Sequence, residues 1–377
     1  MGDASLHQIP VSANWYLPCG AAMSSDGQYY AYAGNTEVVL FRWEGEGRIA
    51  RMRSIGGHEG RVNGVHFLPA GQELCCLVSC SQDKSIRLWS AGDQRCLGLH
   101  RRHSRPPVTV SCCSLEWGVV ISAEEEGTVV IWKLPAAASL SASLEMLEDP
   151  GHFQTLQADQ FNIKAKISTV QCVPSIASHI LIAYQNGVIL LVNWRTGQVI
   201  HRLLGHTDHV CSLSFSPTTT TSIPYVVSGS KDRTVRFWSL SSGRCLMSIP
   251  LDVSKGKARR GPKESWQRFW AAVAWNPYDP LQVAVSSHSG DIHLYRMTFT
   301  SPEKPESVEE GEIASSISPV QRFYQSSEED WGSEVTWDIQ KTGASKNGER
   351  HTRSVFNLSF QGLSVLLSTS MDRQIGV

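Results

Sequence analysis

Residues 57–89 read GHEGRVNGVHFLPAGQELCCLVSCSQDKSIRLW, and the same pattern returns at 205–238 as GHTDHVCSLSFSPTTTTSIPYVVSGSKDRTVRFW. Each stretch runs from Gly-His through an apolar strand to a turn containing Pro. A second strand follows, then a Ser-x-Asp turn and a third strand ending on Trp. Asp83 precedes Trp89 by six positions, and Asp232 precedes Trp238 by six. Short runs rich in Val, Ile, Leu and Cys, bounded by Gly, Pro and Asp, predict strands and turns. Because the whole pattern repeats, the repeat rather than the single strand is the unit of folding.

Weaker copies fill the rest of the chain. SSDGQYYAYAGNTEVVLFRW (24–43) ends in Trp43, and a copy beginning at His103 ends GVVISAEEEGTVVIW at Trp132. ISTVQCVPSIASHILIAYQNGVILLVNW (167–194) and AVAWNPYDPLQVAVSSHSGDIHLY (272–295) follow, the latter with Tyr295 at the Trp position. SVFNLSFQGLSVLLSTSMDRQIGV (354–377) is the seventh. Units of about 40–45 residues with four short antiparallel strands each are the WD-repeat signature and imply an all-β propeller. One four-stranded blade cannot bury both its faces, whereas blades packed in a ring cover one another. His58, Asp83 and Trp89, with His206, Ser228, Asp232 and Trp238, are then ties across a blade rather than a catalytic triad. Trp43, Trp89, Trp132, Trp194 and Trp238 read as repeat tryptophans, and Trp275 as core.

The expectation is seven blades with the last incomplete. Six on from Asp372 falls just past Val377, so the seventh copy lacks its outer strand, as in a fragment or a truncated form of a longer protein. Blades one to six are assigned to 1–297 and the incomplete seventh to 351–377. Between them, 298–350 is an insertion; Glu303 to Glu334 holds nine acidic and two basic side chains among Ser and Pro, the composition of a solvated, disordered loop.

Bulk composition narrows the function classes. With 41% hydrophobic and 18% charged residues the chain is globular, and no run of 18 apolar residues suggests a membrane span. MGDASLHQIPVSANWY has neither the basic nor the apolar region of a secretory signal. Ten cysteines without a C-x-x-C pair read as free thiols in a reducing compartment, cytoplasmic or nuclear. No phosphate-binding Gly loop, metal-ligand spacing or paired carboxylates outside the acidic insertion point to an enzyme or a cofactor.

One stretch exceeds what blades require. SKGKARRGPKESWQRFW (254–270) carries Lys255, Lys257, Arg259, Arg260, Lys263 and Arg268 against Glu264, although the formal net charge of the chain is only −1. Trp266, Phe269 and Trp270 close it, directly before the first strand of the sixth copy, and NWY (14–16) stands at the equivalent place before the first. Lys and Arg attract phosphates through counterion release, and unpaired bases stack on aromatic rings at about 1–3 kcal/mol each. Composition leaves two readings side by side: a surface for single-stranded RNA, or a solvated basic loop over packed tryptophans.

ANWY (13–16), GQVIHRLLGH (197–206), SGSKDRTVRFWS (228–239), QRFW (267–270), TRSVFNL (352–358) and LLSTSMDR (366–373) together resemble the gem-associated family of RNA-binding WD-repeat subunits of the survival-of-motor-neuron complex. The resemblance implies non-catalytic recognition of small nuclear RNA for spliceosomal ribonucleoprotein assembly. Partners would be that RNA and the other subunits of the complex, in cytoplasm and nucleus, with no membrane and no DNA. By matching positions, Asn14, Trp15, Tyr16, Arg353 and Phe356 would contact the uridine-rich Sm site, and Trp270 would stack on the 7-methylguanosine cap. On charge rather than on the resemblance, Lys255, Lys257, Arg259, Arg260 and Lys263 are the candidate phosphate contacts, or simply part of a solvated loop. The alternative is a protein-interaction scaffold, although the W-D-x-R tail of ligase-adaptor propellers is replaced by SAG, KLP and SLS after Trp89, Trp132 and Trp238.

Overall fold

The computed structural model describes residues 6–8, 20–45, 48–69, 75–113, 118–134, 147–148, 152–217, 225–251, 271–286, 291–300, 336–344, 355–360, 366–370 and 374–376. Six blades are antiparallel meanders, each taken from one consecutive run of chain. Blade one holds Ala21–Met23, Tyr29–Ala33, Glu37–Gly45 and Arg48–Arg51, and blade two Val62–Phe67, Cys76–Ser81, Ile86–Ser90 and Arg95–His100. Blade three holds Pro107–Cys112, Val119–Glu124, Val129–Lys133 and His152–Leu156; blade four, Ile167–Cys172, His179–Tyr184, Ile189–Asn193 and Gln198–Leu203. Blade five holds Val210–Phe215, Tyr225–Ser230, Thr234–Ser239 and Cys245–Pro250; blade six, Val273–Trp275, Gln282–Ser286, Ile292–Thr300 and Thr336–Ala344. A two-residue strand, Leu147–Glu148, adds in parallel to the outer strand of blade two.

A further sheet joins the two ends of the chain. Val355–Phe360, Leu366–Ser370 and Gln374–Gly376 pair in order, and Leu6–Gln8 pairs antiparallel with Gln374–Gly376. The expected seven blades with an incomplete last one are therefore corrected to six blades and this joining sheet, whose outer-strand position is occupied by Leu6–Gln8. The internal pattern of the last repeat could not reveal this, because the partner strand is more than 360 residues away in sequence.

The insertion also has narrower bounds than composition suggested. Thr336–Ala344, within 298–350, is the outer strand of blade six, with Trp337 opposite Phe299 and Ile339 opposite Met297. The acidic stretch between Thr300 and Thr336 lies outside the described residues.

The first strand of each sheet lines the ring and packs on the first strand of the next, including the joining sheet between blades six and one. The packing is apolar: Ala272, Ala274 and Ala284 of blade six, Leu358 and Phe360 of the joining sheet, and Tyr30, Tyr32 and Phe41 of blade one form one buried cluster. Fully burying each large side chain contributes about 1.5–3 kcal/mol, so blade-to-blade contact, rather than any single sheet, holds the ring.

Strand register sorts the tryptophans. Trp89, Trp132 and Trp238 lie opposite Leu77, Val120 and Val226, the second residue of the neighbouring strand in each blade. Tyr295 takes the same place opposite Val283, as its sequence position indicates. Trp43 and Trp194 do not: Phe41 faces Tyr30 and Val192 faces Ile180, so both tryptophans stand two residues later. Trp194 instead donates its indole N–H to the Ala177 carbonyl at 2.8 Å. An apolar third strand ending in Trp looks the same at either offset, and only pairing separates them. Trp275 is buried, as its strand position predicts, and its indole donates to Pro280 O at 2.7 Å.

Candidate nucleic-acid interface

The His, Ser, Trp and Asp of the strong repeats meet inside the blade. Trp89 Nε1 can only donate, so Ser79 Oγ accepts from it at 2.8 Å. That leaves the Ser79 proton for His58 Nε2, 2.7 Å away. His58 therefore carries its own proton on Nδ1, facing Asp83 Oδ2 at 2.9 Å. Blade five repeats the set, with Trp238 on Ser228 at 2.8 Å, Ser228 on His206 at 2.7 Å and His206 on Asp232 at 2.8 Å. In blade three His103 bonds Ser122 at 2.8 Å, and Glu124 takes the place of the aspartate at 3.1 Å. Burial outweighs the neighbouring carboxylates and lowers the pKa of His58 and His103. Burial alone would raise Asp83, but hydrogen bonds from His58 and Ser85 hold its carboxyl well below the usual range. Ser79 and Ser228 are wholly buried and both His58 ring nitrogens are engaged, so no substrate reaches these groups.

The same sets fix the rim of the ring. Asp83 accepts from the backbone of Glu59 and Ser85, which ties the loop entering blade two to the turn after its second strand. Lys84 follows in a left-handed conformation (φ 66°), as does Arg233 after Asp232 (φ 66°). Each of these turns therefore presents a cation beside a rigid carboxylate.

Neighbouring first strands run parallel. Val170 N and Cys172 N donate to Thr109 and Ser111, and Val273 N and Trp275 N to Ser212 and Ser214, stepping by two in both chains. The chain consequently enters every blade at one rim. Gly20, Ala271 and Val355 are the described residues at the entry to blade one, blade six and the joining sheet, three neighbours in the ring. Ala271 is held closely, since a Cβ on Gly229 of blade five would collide with the Ala271 carbonyl.

Most of the sequence-predicted contacts precede these entries in sequence. Asn14, Trp15, Tyr16, Trp270 and Arg353, with Lys255, Lys257, Arg259, Arg260 and Lys263, lie outside the described residues. Phe356 falls within Val355–Phe360, where the register shifts between Val355 and Asn357, so it is the bulged residue. The same shift recurs at Asn63, Val108, Ser168 and Cys211 in blades two to five. Bulges re-aim side chains and gather near functional sites.

The rest of the rim holds charges that sequence reasoning did not single out. Arg61 and Lys84 of blade two and Arg105 of blade three line an open cleft of about 540 Å³ with Asn63, Gln82 and Ser104. Glu125 and Glu126 form its other side, and Lys166 of blade four lies 3.3 and 3.7 Å from them. On blade five, burial and Lys231 lower the His209 pKa to about 4 against the opposing pull of Asp208 and Glu125. His209 thus adds no positive charge near neutral pH. Aligning the copies on their Gly-His and Asp positions would have found Arg61 and Lys84.

Residues 50–90 and 197–239 match the family described as WD domain, G-beta repeat. The chain is an all-β propeller with WD-type repeats at these residues. It is 26% identical to Gem-associated protein 5 of Mus musculus over 416 residues, which covers 97% of this chain and 24% of the relative. The Homo sapiens protein of that name is 24% identical over 410 residues, with the same coverage. Striatin-4 of Mus musculus is 26% identical over 253 residues, covering 63% of this chain and 30% of the relative. The propeller thus resembles Gem-associated protein 5 along nearly its whole length, while spanning about a quarter of that relative. The nine cysteines among the described residues are all free. No helix in them is long and apolar enough to cross a membrane.

Proposed function

We propose that this propeller is a non-catalytic binder of single-stranded, uridine-rich RNA, acting in small nuclear RNA recognition for ribonucleoprotein assembly. One observation carries the reading: the entries to blade six, the joining sheet and blade one, which follow Trp270, Arg353 and Asn14–Tyr16 in sequence, are neighbours on a single rim. The three entries, described at Gly20, Ala271 and Val355, thereby belong to one arc. The resemblance to Gem-associated protein 5 over 97% of the chain supports the same reading. Trp270 is assigned to a methylated guanine cap, because methylation leaves that ring positive and an indole face attracts cations. Contacts with survival-of-motor-neuron subunits and a cytoplasmic and nuclear location belong to the same proposal.

The test is a fluorescence anisotropy titration of the 377-residue chain with a uridine-rich single strand and with a duplex of equal length. Preference for the single strand is expected; equal affinity, or none, would refute the reading. A scaffold role is the competing outcome, shown by a protein partner whose binding ignores Trp15 and Trp270.

A further inference from the structure

We infer that the cleft between blades two and three is a phosphate-binding subsite that carries the RNA backbone onward from the entries to blade six, the joining sheet and blade one; this rests on the RNA-binding reading above. Arg61 and Lys84 face it from blade two and Arg105 from blade three. Their backbones are fixed before any ligand arrives. Gln82 N donates to Arg61 O at 2.8 Å, which sets the Arg61 loop beside the Lys84 turn. Asp83, which could neutralise Lys84, is committed to His58, Ser85 and the Glu59 N–H. Arg105 N donates to buried Glu124 at 3.2 Å, and Asn63 Nδ2 bonds Pro107 O at 2.8 Å across the cleft floor. Held donors lose less freedom on binding, which favours a ligand that fits them.

Charge selects the ligand. Arg61 and Lys84 form no ion pair among the described residues, and both are exposed. Glu125 and Glu126 are already engaged: Gln185 Nε2 donates to Glu125 at 2.9 Å, Lys166 lies against both, and Arg105 lies 3.4 Å from Glu126. Arg61, Lys84, Arg105 and Lys166 therefore meet Glu125, Glu126 and, behind the Lys84 turn, Asp83, and the two cations without ion pairs among the described residues point the site toward an anion. Around the ring the order is blade six, joining sheet, blade one, blade two, blade three, so the cleft continues the arc formed by the entries at Ala271, Val355 and Gly20. A polyanion leaving that arc reaches Arg61 and Lys84 next. A single-stranded RNA backbone is such a polyanion, and successive phosphates suit cations from two adjacent blades.

The test uses the full chain and a fluorescein-labelled oligouridylate of about 12 nucleotides, titrated over a range of salt. Arg61→Gln combined with Lys84→Gln is expected to weaken binding and to reduce the slope of log K against log salt by about 1.4, two phosphate contacts at about 0.7 each. Glu126→Gln in the same cleft is expected to tighten binding, an opposite sign that misfolding cannot produce. If the wild type binds but the double variant keeps its affinity and slope, the cleft inference is overturned while the RNA-binding reading stands. If the wild type binds no oligouridylate, both fall. If it binds a phosphoserine peptide through Arg61 and Lys84 but no RNA, the site serves a protein partner and the RNA assignment is overturned.

Discussion

Gly376, near the end of the chain, lies opposite Leu6, near its start, in one antiparallel ladder. The two ends therefore close the ring between blades six and one. An open ring would leave Gln374–Gly376 as an unpaired edge and loosen the cluster holding Leu358 and Phe360. Removing residues 1–8 should lower the thermal midpoint by about 2 °C or more. Differential scanning calorimetry checks this, and an unchanged midpoint would place closure elsewhere.

Ser79 is the single hydroxyl shared by His58 and Trp89. Ser79→Ala leaves two buried polar atoms without their partner, which should cost about 1–3 kcal/mol in urea unfolding. Ser228→Ala should behave alike, since His206 and Trp238 share it in the same way.

Tryptophans that look equivalent in the sequence should separate on mutation. Trp89→Phe removes an indole N–H from a wholly buried network and should cost about 1–3 kcal/mol. Trp43 is only half-buried and stands two positions beyond the repeat site, so Trp43→Phe should cost less than about 1 kcal/mol. Chemical denaturation of the two variants distinguishes them.

Acid should destabilise the propeller in two stages. The folded pKa of His58 and His103 lies below 6.5, so the unfolded chain takes up more protons there and stability falls as pH drops below about 6.5. Asp83 and Asp232 are depressed when folded, so their contribution is complete above about 4 and is lost as pH falls further. Urea midpoints between pH 8 and pH 3 report both stages. A midpoint constant from pH 7 to pH 5 would contradict the neutral His58 that the Trp89–Ser79 bonding requires.

Local chemistry made the blades legible in the sequence. The Gly-His start, the Asp turn and the third-strand Trp are all within one repeat, and the bonding of His58, Ser79, Asp83 and Trp89 explains why those types recur together. Features that depend on distant pairing were not legible. Leu6–Gln8 is too short to advertise a strand, and its partner lies at the other end of the chain. Thr336–Ala344 follows an acidic stretch whose composition masks the alternation of a strand. Trp43 and Trp194 kept the residue type while changing register. Aromatic and basic excess in the sequence drew attention to Trp270 and its neighbours, whereas Arg61, Lys84 and Arg105 are ordinary blade residues until packing gathers them.

RNA binding through the aromatics that precede blades one and six in sequence is tested most directly at Trp15 and Trp270. Trp15→Ala and Trp270→Ala, titrated with a capped uridine-rich single strand at fixed salt, should each weaken binding by about 1–3 kcal/mol with unchanged thermal midpoints. Trp270→Ala should lose more on the capped than on the uncapped strand. Wild-type affinity in both variants would contradict the account.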